Sequence, residues 1–151
     1  MLLEQWYDSG KYCKINGRSV FYQRSGSGEP LICIHGFPTA SWDFADIWPA
    51  LIGRFDTVAH DMLGFGRSDK SRRDITVKRQ ADMIEQLAVK LGISRAHILA
   101  HDLGDTVAQE LLARQFNGSA EVEWLSCVFL NGGIFPEAHK PRLVQKLLAS
   151  P

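Results

Sequence analysis

Four short apolar runs constrain this fold more than any other feature: Leu31-Ile32-Cys33-Ile34, Thr57-Val58-Ala59, His97-Ile98-Leu99-Ala100 and Leu125-Ser126-Cys127-Val128-Phe129-Leu130. Unbroken runs of this length suit strands covered on both faces, as in a parallel sheet. Helical stretches separate them. The clearest places Val77, Ala81, Ile84, Ala88 and Leu91 at steps of four and three, opened by Thr76 and closed by Gly92. A second carries Val107, Ala108, Leu111, Leu112 and Phe116, and a third, from Phe44 to Leu51, is interrupted by Pro49, which marks the first turn of a separate short helix. Alternation of strand and helix predicts an α/β class with a mostly parallel sheet. Ahead of it, alternating residues through Tyr12-Cys13-Lys14-Ile15 and Val20-Phe21-Tyr22-Gln23 flank Asn16-Gly17, which predicts an antiparallel N-terminal hairpin.

Composition narrows the function classes. The chain has 151 residues, with 17 Lys plus Arg against 17 Asp plus Glu, so its formal net charge is zero. Nucleic-acid or anionic-membrane binding needs a basic excess, and neither partner is expected. Three cysteines, Cys13, Cys33 and Cys127, form no CxxC and read as reduced core thiols, giving no metal site and a cytoplasmic expectation. No cofactor is expected either. Gly64-Phe65-Gly66-Arg67-Ser68-Asp69 has Asp where a dinucleotide fingerprint needs its third glycine, and GxxxxGK is absent.

The chemistry concentrates in Ala100-His101-Asp102-Leu103-Gly104, which follows a buried-strand run and precedes an amphipathic helix. Small residues at 100 and 104 let strand and helix approach, while the central side chain projects from a tight turn. His35-Gly36-Phe37-Pro38 follows the strand Leu31–Ile34, and Asp61-Met62-Leu63-Gly64-Phe65-Gly66-Arg67-Ser68 forms a D-x-x-G-x-G-x-S turn. In order and spacing these motifs resemble the α/β-hydrolase superfamily, in its aspartate-nucleophile branch of epoxide hydrolases and haloalkane dehalogenases. Within that branch, Asn131-Gly132-Gly133-Ile134-Phe135-Pro136-Glu137 and the stretches already quoted look most like the mesoderm-specific transcript group and its bacterial relatives.

The resemblance implies an α/β-hydrolase fold in which Asp102 is the nucleophile and the N–H groups of Phe37 and Leu103 hold the oxyanion. His35, Gly36, Pro38, His101 and Gly104 support that motif. A carboxylate ionised at neutral pH attacks an sp³ carbon without a base and forms an alkyl ester. Attack on an ordinary ester would give an anhydride, which argues against esterase action. Leu103 replaces the tryptophan whose indole N–H holds the halide in dehalogenases, so opening of a small hydrophobic epoxide is favoured over dehalogenation. A Phe37–Pro38 cis bond and unusual backbone angles at Asp102 are expected.

The family pattern continues with an acid, a histidine and a helical cap, so residues 1–136 are expected to be the first part of the core and 137–151 the start of the cap. On that expectation the chain is truncated before the cap and C-terminal strands, and its missing C-terminal half is a partner. These 151 residues are then catalytically dead and prone to associate through the Leu125–Leu130 strand. Blander readings stand beside these. Asp102 is also where a helix N-cap would sit, and Asp105 reads as a cap or supporting acid. His35, His60, His97, His101 and His139 read as structural, Trp42, Phe44 and Trp48 as core, and Lys70, Arg72 and Arg73 as a solvated loop. A non-catalytic binding or regulatory module on the same fold remains the alternative of a different class.

Overall fold

The computed structural model describes residues 2–70 and 75–132. A short helix, α1 (Leu3–Asp8), leads into strands β1 (Lys11–Ile15), β2 (Arg18–Ser25) and β3 (Pro30–Ile34). A 3-10 turn (Ser41–Phe44), helix α2 (Trp48–Ile52), strand β4 (Asp56–His60) and helix α3 (Val77–Lys90) follow. Strand β5 (Arg95–His101), helix α4 (Leu103–Phe116) and strand β6 (Glu123–Leu130) complete the order. The six strands form one sheet ordered β1-β2-β4-β3-β5-β6.

The hairpin forms as the sequence predicts. Pairing of Ile15 with Arg18 leaves Asn16-Gly17 as a two-residue loop. Both loop residues have positive φ, 48° and 78°, the backbone twist that matches two strands of right-handed twist. Strand β2 then pairs antiparallel with β4, and the joins β4–β3, β3–β5 and β5–β6 are all parallel.

The apolar runs are unbroken because alternate residues feed two cores. Ile32, Ile34, Val58 and Ile98 pack with Ile84 and Leu87 of α3 and Val107 and Leu111 of α4. Leu31, Cys33 and Ala59 face the other way and pack with Trp6, Phe21, Phe44 and Trp48. Each large side chain fully removed from water contributes about 1.5–3 kcal/mol, so neither layer is dispensable. Thr76 caps α3 by accepting the Arg79 N–H at 3.3 Å, and Pro49 lies in the first turn of α2. Arg114 joins the two long helices through Asp82 and Glu85 of α3, each at 2.8 Å, and Glu110 of its own helix.

One element departs from the sequence expectation. Helix α1 was not anticipated, yet its Trp6 is fully buried and meets Trp48 edge-on at 5.0 Å. The unbroken run of β6 suits a strand covered on both faces in a complete fold, and in a truncated chain it was expected to be an exposed edge. Among the described residues it is the last strand, with Leu125, Cys127 and Phe129 half-buried while Ser126, Val128 and Leu130 are exposed. The domain boundary expected at 136/137, the cap start expected over 137–151, and His139, Arg72 and Arg73 lie outside the described residues.

Candidate active site

The strand order reverses around β3. Its chain continues to β4 on one side, and the next parallel strand, β5, lies on the other. The segment after β3 leads to α2 on one face of the sheet, whereas that after β5 leads to α4 on the opposite face. Diverging connections leave a crevice at the carboxyl ends of β3 and β5, where ligands of open α/β sheets bind. Asp102 and Phe37 lie there.

One residue, Asp102, separates β5 from α4. Its backbone has φ 53° and ψ −112°, a strained conformation that costs a non-glycine residue on the order of 1–3 kcal/mol. Backbone bonds offset part of that cost: the Asp102 N–H donates to Leu130 O at 2.9 Å, and Asp105 N–H donates to Asp102 O at 3.1 Å. Gly104 is obligatory by space, because a Cβ there would stand 2.3 Å from Ile34 O and 2.8 Å from His35 O. With hydrogen in that place, the first turn of α4 rests on the end of β3.

The carboxylate receives two backbone donors on one oxygen. Phe37 N–H donates to Oδ1 of Asp102 at 2.8 Å and Leu103 N–H donates to the same atom at 2.7 Å. Asp102 thus occupies the N-cap position without behaving as an ordinary cap, which has extended dihedrals and accepts from the second or third helical N–H. The Phe37–Pro38 bond is cis. Gly36 lets the loop approach, since a Cβ there would come within 2.7 Å of Asp102 Cβ.

Surrounding groups fix this loop. Buried His35 donates from Nδ1 to Gly36 O at 2.8 Å and accepts Met62 N–H on Nε2 at 3.0 Å, so burial, which lowers its pKa, keeps it neutral in one tautomer. The ring meets Phe65 edge-on at 5.4 Å, and Phe65 meets Phe37 at 6.0 Å. Asp61, fully buried, accepts Ser41 N–H at 2.8 Å on Oδ1 and Arg67 N–H at 2.7 Å on Oδ2, tying the loop after β3 to the glycine turn. Tyr7 of α1 is hydrogen-bonded to Asp61 as well. Burial first, then the Asp61 charge and that bond, push its phenol well above the ordinary value.

The remaining candidates fall into supporting places. His101 faces Asp43, with Nδ1 3.9 Å from Oδ2. Asp105 is buried under the end of β6, accepting Leu130 N–H at 3.3 Å, and burial raises its pKa. Phe44 and Trp48 are core, as expected, while Trp42 is 41% exposed. His97 bridges Ser126 Oγ at 2.8 Å and Glu29 at 3.1 Å, but near the amino ends of the strands, five residues or about 16 Å of strand away from Asp102. The sequence analysis missed Asp43, Thr39 and Asp61 as neighbours of the site. Asp61 carried a signal as the first residue of the D-x-x-G-x-G-x-S turn and Thr39 as the end of the His35-Gly36-Phe37-Pro38-Thr39 stretch, whereas Asp43 carried none.

Comparison with known proteins decides the family. Residues 29–149 match the model of the alpha/beta hydrolase fold. The chain belongs to the α/β-hydrolase family. It is 46% identical over 155 residues to the mesoderm-specific transcript protein of Mus musculus, covering 97% of this chain and 46% of that protein. It is 33% identical over 94 residues to a soluble epoxide hydrolase of Corynebacterium, covering 62% of this chain and 33% of the relative. The solved structure of the epoxide hydrolase CorEH superposes with a TM-score of 0.74 at 25% identity, covering 93% of this chain and 48% of that one. This α/β-hydrolase chain spans about half the length of mesoderm-specific transcript protein and less of the epoxide hydrolase. Among the described residues, no helix is long and apolar enough to cross a membrane.

Proposed function

We propose that this chain carries the nucleophile and the oxyanion hole of an epoxide-hydrolase-type enzyme. The observation that carries the reading is the convergence of Phe37 N–H and Leu103 N–H on Oδ1 of Asp102. That arrangement divides the carboxylate: Oδ1 is held, and Oδ2 is the oxygen that attacks. Oδ2 bonds to an epoxide carbon while the carbon–oxygen bond of the ring breaks, giving an alkyl ester and an alkoxide that takes a proton from a general acid. Water then adds to Cγ of the ester, and negative charge develops on Oδ1, between the two N–H groups already aimed at it. Collapse of this intermediate releases the diol and restores the carboxylate. The family resemblance assigns the acid and the water-activating histidine to segments after residue 151.

The chemistry of position 103 separates epoxide opening from dehalogenation. Leu103 contributes a backbone donor, but its side chain has no N–H to hold a departing halide. Phe37, whose N–H meets the carboxylate, is 48% exposed and its ring meets Phe65 edge-on, an apolar surface that supports a small hydrophobic substrate. The free thiols Cys13, Cys33 and Cys127 support a reducing compartment, and we assign the protein to the cytoplasm.

The test is covalent trapping. Incubation with styrene oxide, acid quenching and peptide mapping should place one epoxide mass on the peptide containing Asp102, and none on that peptide in Asp102→Asn. An unmodified Asp102 peptide in the wild type would favour a non-catalytic binding module on the same fold.

A further inference from the structure

We infer that Asp43 is a positioning residue, which with Thr39 and His101 clamps the loop after β3 so that Phe37 N–H stays on the Asp102 carboxylate. This inference rests on the reading of Asp102 as the nucleophile. Phe37 is an exposed residue on a loop, and its N–H reaches across 65 positions of sequence to a side chain on another strand. Something must hold that loop. His35 and Ser41 anchor its two ends from below, through Gly36 O and through Asp61. The remaining side is closed by Asp43. Its Oδ2 accepts the Thr39 hydroxyl and lies 3.9 Å from Nδ1 of His101, the residue that precedes the nucleophile. Thr39 Oγ also stands 3.2 Å from Gly36 O, so the same side chain touches both ends of the dipeptide that carries the donor.

Space makes the clamp consequential. The site a Cβ would occupy on Gly36 is 3.1 Å from His101 Nδ1 and 3.1 Å from Asp102 Oδ1. The imidazole and the nucleophile therefore stand over the same glycine. Asp43 accepts the Thr39 hydroxyl on one side and faces His101 on the other. The side chain of Asp43 is 25% exposed, which leaves its charge partly desolvated and its bonds correspondingly firm.

The experiment measures the rate at which styrene oxide alkylates Asp102, as a function of epoxide concentration, together with hydrogen exchange of the Phe37 amide. Asp43→Ala and Thr39→Val are each expected to lower the limiting alkylation rate about tenfold, because a released loop no longer holds the carboxylate in line with the epoxide carbon. The half-saturating concentration should stay unchanged, and Phe37 exchange should quicken by a similar factor. Thr39→Ser, which keeps the hydroxyl, should restore both readouts, and Asp43→Asn should restore them in part. A global loss of structure would quicken exchange throughout the sheet rather than at Phe37. Unchanged Phe37 exchange in Asp43→Ala and Thr39→Val would overturn the clamp. A wild-type chain that carries no adduct on Asp102 would instead overturn the assignment of the nucleophile, while the exchange readout would still decide whether the clamp exists.

Discussion

Two aspartates stand directly after the parallel strands on either side of β3, Asp61 after β4 and Asp102 after β5, and each accepts two backbone N–H groups. Asp61 takes one donor on each oxygen, is bonded to Tyr7 as well, and is fully buried. Asp102 takes both donors on one oxygen, lies half-buried, and sits in a strained turn. Distribution makes the difference. A carboxylate with donors on both oxygens is a hub that holds backbone in place, whereas a carboxylate gripped by one oxygen presents the other to whatever enters the crevice. The same residue type, the same strand end and the same number of backbone bonds thus tie up both oxygens in one case and leave one oxygen clear of backbone donors in the other.

Exchanging each carboxylate for its amide should separate the two roles. Asp102→Asn should reduce covalent labelling by an epoxide to background, while stability changes by less than about 1 kcal/mol, because the amide oxygen still accepts both N–H groups. Asp61→Asn should leave labelling at Asp102 detectable but cost on the order of 3 kcal/mol, since an NH2 group must then face a buried backbone donor. Thermal unfolding would read that loss as a fall of roughly 10 °C in Tm. Equal Tm losses in the two variants would dissolve the contrast.

Glycines beside each strand end sharpen the comparison at smaller scale. Gly104→Ala drives a Cβ against backbone oxygens of β3 that cannot give way, and should cost roughly 2–3 kcal/mol. Gly36→Ala meets the Asp102 side chain instead, so the carboxylate rather than the sheet must move. Its expected signature is a cost of about 1 kcal/mol with a fall in labelling of about tenfold. Parallel denaturation and labelling of the two variants would check this, and a larger labelling loss in Gly104→Ala at equal stability would reverse the assignment.

How much of this was legible in the sequence follows from how local each signal is. The hairpin was legible because Asn16-Gly17 encodes its turn in two residues, and β3 to β5 because their apolar runs serve two cores at once. The strand-to-helix turn from Ala100 to Gly104 was legible because small residues at 100 and 104 fit where strand and helix touch. Helix α1 was not: its six residues are too few for a periodic pattern, and Trp6 reveals its role only against Trp48, 42 positions away. The alternating burial of β6 was hidden by Leu125, Cys127, Phe129, Val128 and Leu130 all being apolar, so composition could not tell a covered face from an open one. Asp43 carries no motif and Thr39 is only the last residue of the His35-Gly36-Phe37-Pro38-Thr39 stretch, so their place at the site depends on the path of the loop after β3.

The contrast extends to the residue before each aspartate: His60 before Asp61 is fully buried, whereas the side chain of His101 before Asp102 is partly exposed. His60 is fully buried, and neither ring nitrogen has a hydrogen-bond partner. Burial, reinforced by the proximity of His35, pushes its pKa down to about 3. An unfolded histidine takes up a proton near pH 6.5, whereas the folded one resists until about pH 3, so between those values the unfolded chain binds more protons and acid favours it. Stability should therefore be intact above pH 6.5 and fall by roughly 2 kcal/mol on moving to pH 5 through this group alone. Burial lowers the pKa of His35 as well, which adds to the slope with the same sign. His60→Leu, close in volume and unable to titrate, should flatten the pH dependence without abolishing it. Urea unfolding of the two proteins at pH 7 and pH 5 measures this directly. Identical slopes in the wild type and His60→Leu would mean that His60 gains a proton, or a hydrogen-bond partner, within the folded state, and that the Asp61 side of the sheet is wetter than its burial indicates.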